Sequence, residues 1–125
     1  MLDRESDRLQ VIDLGPSTEG NPFLLVIISS PENLANLDRL AEISRALADP
    51  RGVSEREIAG LVAEGKAVVV QSLGLHATEV AGAQSGPAIA YDMVSRNDPE
   101  TLRLLDRSEE HPSEPQSRRK PVAPP

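Results

Sequence analysis

The chain contains no cysteine and no tryptophan, and Phe23 and Tyr91 are its only aromatic residues. Disulfides and thiolate metal sites are therefore excluded, and the redox compartment stays open. With so few rings, any core has to be built from Leu, Ile, Val and Ala. No apolar run approaches the ~18 residues of a membrane span. Clustered Lys and Arg are missing from the body of the chain, and the formal charge is -7. That combination argues against a phosphate-binding surface and a nucleic-acid partner. The one basic run, Arg118-Arg119-Lys120, sits in a Pro-rich tail and reads as solvated charge. The first ten residues are charged and lack the apolar stretch of a signal peptide, so the chain as given carries no export signal and its localisation stays open.

What is present is enough for one small domain: 125 residues, 38% of them apolar and gathered in runs. Leu9 to Leu14 reads as a short strand. The segment Gly15-Pro16-Ser17-Thr18-Glu19-Gly20-Asn21-Pro22 is dense in turn residues. Phe23 to Ile28 is a continuous apolar run, the pattern of a strand covered on both faces. Strand, turn and strand together predict a hairpin, in which Glu19 is assigned no role. Ser30-Pro31-Glu32 opens a helix, with Ser as cap and Pro at the first helical position. Leu34, Leu37, Leu40, Ala41, Ile43 and Leu47 recur on one of its faces, which reads as core packing. Asp49-Pro50-Arg51-Gly52 ends it. Ser54 and Glu57 form a capping-box pattern, and the second helix carries Ile58, Leu61 and Val62 and stops at Gly65.

Ala67-Val68-Val69-Val70 is β-branched and uninterrupted, so a buried strand is expected to run to about Leu73. A strand preceded and followed by helices fits α/β architecture. The Ala-rich stretch from Val80 to Val94 has helical periodicity in Ala83, Ile89, Ala90 and Met93. Pro87 belongs near a helix start, which places the first turn around Ser85. Tyr91 reads as a helix residue packed by its ring. Asp98-Pro99-Glu100 opens a last helix with Leu102, Leu104 and Leu105. From Arg107 the composition becomes polar and Pro-punctuated, so residues 107–125 are expected to be a disordered tail.

The chemistry sits at His76 and Glu79. Ligands of open α/β sheets bind beyond strand C-termini, and this His-x-x-Glu spacing follows a predicted strand. Gly74 permits a tight turn just before it. An imidazole and a carboxylate are both good Zn²⁺ ligands, but a catalytic zinc takes three protein ligands. The spacing alone also arises often among solvated surface groups. His111, beside Glu109 and Glu110 in the tail, reads as solvated and not as the third ligand.

Four segments in order resemble the start of the catalytic domain of bacterial zinc carboxypeptidases, over about Val11 to Leu105. Residues 15–22 resemble that family's early Gly-x-Ser-x-Glu-Gly-Arg-Pro turn, with Asn21 in place of the usual Arg. Ile27-Ile28-Ser29-Ser30-Pro31-Glu32-Asn33-Leu34 resembles the next part. Gly65-Lys66-Ala67-Val68-Val69-Val70 resembles the strand before the metal motif, and Leu75-His76-Ala77-Thr78-Glu79-Val80-Ala81-Gly82-Ala83-Gln84 the metal motif itself.

The resemblance implies a truncated three-layer α/β fold, a mixed sheet flanked by helices, over residues 1–106. It implies zinc as cofactor, with His76 and Glu79 as its first two ligands, and a peptide or protein substrate in the intact enzyme. The family's third ligand (a histidine), its general-base glutamate and its substrate-binding arginines lie farther downstream and have no counterpart here, so no catalytic residue is assigned. Two ligands without a base predict an inactive chain. The tail from Arg107 to Ser117 resembles the translation of a common short-read sequencing adapter, apart from Pro112 and Pro115. A non-biological origin and a natural disordered terminus are its two readings. Two other functions compete: a zinc amidohydrolase acting on acylated amino acids, with the same His-x-x-Glu, and a non-catalytic α/β interaction module.

Overall fold

The computed structural model describes residues 2–74, 76 and 78–107. The tail expected at 107–125, His111 included, lies outside the described residues except for Arg107. After a short 3-10 turn at Leu2–Arg4, strands β1 (Leu9–Pro16) and β2 (Pro22–Ile28) are followed by five helices: α1 (Pro31–Ala35), α2 (Leu37–Ala48), α3 (Glu55–Glu64), α4 (Val80–Ser95) and α5 (Pro99–Asp106). No helix among the described residues is long and apolar enough to cross a membrane.

The hairpin forms as its turn chemistry requires. β1 and β2 pair antiparallel, with Leu9 opposite Ile28 and Asp13 opposite Leu24, and the register shifts between Asp13 and Pro16. Gly15 and Gly20 adopt φ of 100° and 77° at the two ends of the turn, conformations that a Cβ disfavours. The caps also form as read. The Ser30 hydroxyl accepts from the Asn33 N–H, and Ser54 and Glu57 close a reciprocal capping box. The Asp98 carboxylate accepts from the Thr101 N–H at 3.1 Å.

Several expectations are corrected. The sheet among the described residues has two antiparallel strands and no mixed character; the α/β class stands. Segment 67–73 forms no strand, and Val68, Val69 and Val70 are 74%, 92% and 85% exposed. A buried strand needs neighbours on its edges and layers on its faces, and none of the described residues provides them. β2 is a strand, but Phe23, Leu24, Leu25 and Val26 are all exposed. The helix expected from Ser30 to Leu47 breaks at Asn36, whose φ of -116° leaves the helical region. Its side-chain amide donates to the Glu32 carbonyl at 2.9 Å, the local competition with the backbone that Asn offers. Helix α4 starts five residues before Ser85 and runs through Pro87. Pro87 has no N–H to give the Ala83 carbonyl, so the helix is one hydrogen bond short there. Tyr91 sits on α4 but is 60% exposed and not packed by its ring.

The buried apolar set is correspondingly small. Leu9 packs with Ala90 and Val94, with Leu2, Val11 and Ile28 around them, so α4 covers one end of the hairpin. A second centre is Ile43, 1% exposed, between α2 and α3. Its Cγ2 lies 3.1 Å from where a Cβ on Gly65 would stand. Polar groups join the pieces. The Arg8 guanidinium donates to the Arg96 carbonyl and to Asn97 Oδ1, both at 2.9 Å, and so closes the C-terminus of α4. The Leu105 carbonyl accepts from the Ser30 N–H and the Ser29 hydroxyl, both at 2.9 Å.

Ile43→Ala is expected to lower unfolding free energy by about 2–5 kcal/mol in urea titrations, as other buried Ile truncations do. Acid should destabilise the fold as well. The Thr101 hydroxyl and N–H, then Arg96, hold the Asp98 carboxyl far below its ordinary value of 3.8. Ser54 and Arg39 lower Glu57 and Glu64, respectively, from 4.5. A carboxyl depressed on folding stabilises the native state above its unfolded pKa and loses that contribution as pH falls through the folded value. The thermal midpoint should therefore be level at neutral pH and fall once pH drops below about 4. Asp98→Asn, which keeps a capping side chain, should flatten that acid limb.

Candidate metal site

Glu79 is placed by α4. It is the residue before the first helical turn, and its carbonyl accepts from the Ala83 N–H at 3.3 Å. His76 arrives from the other side, through Leu73 and Gly74, and Gly74 takes φ of 75° as the expected turn requires. The Glu79 N–H donates to the His76 carbonyl at 3.0 Å, so the chain coils once between the two residues. This coil brings the side chains together. His76 Nδ1 lies 2.6 Å from Glu79 Oε1, and the His76 N–H donates to Glu79 Oε2 at 3.4 Å.

The pair is open to solvent, with side-chain exposures of 70% for His76 and 49% for Glu79. Neither lines the depression of ≈ 190 Å³ formed in the hairpin turn by Asp13, Gly15, Pro16, Gly20 and Pro22. Among the described residues, no group of three His, Cys, Asp or Glu is placed to hold a metal ion. The donor set can be tested against zinc by geometry. Ligand distances of ~2.0–2.2 Å in a tetrahedron put two ligand atoms about 3.3 Å apart. His76 Nδ1 and Glu79 Oε1 already face each other and would need to part by only about 0.7 Å to take zinc between them. The two residues fit an open half-site of nitrogen and oxygen donors.

The hydrogen bond also sets the tautomer of His76. A neutral ring facing a carboxylate carries its proton on Nδ1 and leaves Nε2 as acceptor. In ¹⁵N spectra of the metal-free protein at pH 8, His76 is expected as mainly the Nδ1–H form. Glu79→Ala should shift that distribution toward Nε2–H, and an unchanged spectrum would mean the contact is not made in solution.

The residues missed by the sequence reading are the neighbours of this loop on α4. Ala83 and Gly86 approach Gly74 and Leu73 closely. Small residues in a helix usually pass as composition, and only the helix starting at Val80 makes them face the loop.

Comparison with known proteins agrees with the ordered segments. Searches of curated proteins and of solved structures return no match. A family model described as zinc carboxypeptidase matches residues 1–111, which includes the hairpin, all five helices and the His76–Glu79 loop. The match covers far more than half of the 125 residues, and the chain belongs to the zinc carboxypeptidase family.

Proposed function

We propose that this chain carries two zinc ligands, His76 Nδ1 and Glu79 Oε1, of a metallocarboxypeptidase site acting on the C-terminal end of peptides. The observation that supports it most is the 2.6 Å convergence of an imidazole nitrogen on a carboxylate oxygen, in a chain of a zinc carboxypeptidase family. Zinc held there would polarise a scissile carbonyl and acidify a bound water. His76 and Glu79 would hold and orient the metal, with Glu79 anchored to the first turn of α4. Gly74 lets the imidazole reach back toward that carboxylate.

The same reading makes the chain by itself inactive. Three protein ligands hold a catalytic zinc, and the described residues contribute two. Among the described residues no second carboxylate joins the pair to take the water's proton.

Zinc titration by calorimetry tests the ligand assignment. Wild type should bind zinc, and His76→Ala and Glu79→Ala should each bind about tenfold more weakly or worse. Equal affinities would remove the metal site. Hydrolysis of an N-blocked dipeptide with a free C-terminus should show no zinc-dependent turnover. Turnover abolished by Glu79→Ala would overturn the inactivity.

A further inference from the structure

Glu79 is fixed by the helix it precedes, and His76 is bonded to Glu79 through its carbonyl, its N–H and its ring; the direction from which the chain enters that coil is set by Leu73 and Gly74. Among the described residues no strand pairs with the chain leading to them. Residues 67–73 make no backbone hydrogen bond among the described residues, and their valines face solvent. What the segment does have is a seat on α4. A Cβ built on Gly86 would stand 3.0 Å from Leu73 Cδ1, and one built on Gly74 would stand 3.0 Å from Ala83 Cβ. Ala83 and Gly86 are three residues apart and share a helix face. The neighbouring Gly82 is different, because a Cβ there meets nothing within 4 Å. The glycines of α4 are therefore not equivalent: Gly86 sits where space is needed, and Gly82 does not.

We propose that Ala83 and Gly86 are positioning residues for the metal pair, forming a shallow seat on α4 that receives Leu73 and Gly74 and so delivers His76 to Glu79. The proposal rests on the metal reading for its consequence but not for its geometry. A larger residue at 86 displaces Leu73 from the helix, the chain at Gly74 follows, and the imidazole loses its position over the carboxylate. Truncating Leu73 makes room again. A helix-propensity effect at 86 would not depend on the residue at 73.

The geometry is tested first in the full metal-free chain. Nuclear Overhauser contacts are expected between the Leu73 methyls and the Gly86 Hα, and between the Gly74 Hα and the Ala83 methyl. Their absence overturns the proposal whether or not zinc binds. Zinc titration then reads the consequence. Gly86→Val should weaken binding about tenfold, and the double variant Gly86→Val/Leu73→Ala should recover most of that loss. Gly82→Ala should stay within about twofold of wild type. Loss at position 86 without recovery in the double variant, or an equal loss at position 82, overturns the seat. If Gly86→Val does not fold, Gly86→Ala with and without Leu73→Ala makes the same comparison at smaller volume. If wild type binds no zinc, the metal reading fails, and the same variants are judged by the ¹⁵N tautomer signal of His76. That signal should change in Gly86→Val and return in the double variant; no change would overturn the proposal.

Discussion

The carbonyl of Leu105 is the point on which the arrangement of the chain depends. It belongs to the last turn of α5, where helix carbonyls have no intrahelical partner. Ser30 N–H, the Ser29 hydroxyl and the Asn33 side-chain amide all donate to it, at 2.9, 2.9 and 3.3 Å. The three donors come from one tight segment at the start of α1, more than 70 residues away in sequence. Asn33 is 5% exposed and Leu105 is 4% exposed, so breaking this contact would leave polar groups buried without partners, at about 1–3 kcal/mol each.

Arg8 plays the matching part at the end of α4, where it donates to the Arg96 carbonyl and to Asn97. Cationic donors suit helix C-termini because the last carbonyls are both unsatisfied and at the negative end of the helix dipole. These two closures matter because the apolar contribution is small. One centre lies between the hairpin and α4, and the other surrounds Ile43. The His76–Glu79 loop belongs to neither. It lies on the outside of α4, attached by close approaches at Gly74 and Leu73, and its donors are solvent-facing. Its geometry is therefore tied to the position of α4, which Arg8 and the Leu9–Ala90–Val94 contacts hold against the hairpin.

Legibility in the sequence followed the range of the interaction. Ser30, Ser54 and Asp98 were readable as caps because each bonds a backbone N–H three residues ahead. The hairpin was readable from its glycines and prolines. Asn36 leaves no mark in the apolar spacing, so its side chain's competition with the backbone shows only in the structure. Pro87 is expected near a helix start because it removes a hydrogen bond from a helix interior, and α4 runs through it despite that loss. The run Val68-Val69-Val70 misled most, since composition reports what a segment prefers to bury and not whether anything covers it.

His76 and Glu79 divide along the same line. The sequence by itself determined their chemistry, their spacing, the glycine that turns the chain ahead of them and the family whose segments surround them. These depend on residue identity and on neighbours a few positions away. A local coil brings the imidazole and the carboxylate to 2.6 Å; only the tertiary structure decided that they stand in solvent and that α4 lies against Leu73 and Gly74. Those outcomes depend on where a helix begins and what it lies against, and contacts between distant parts of a chain are settled only when it folds.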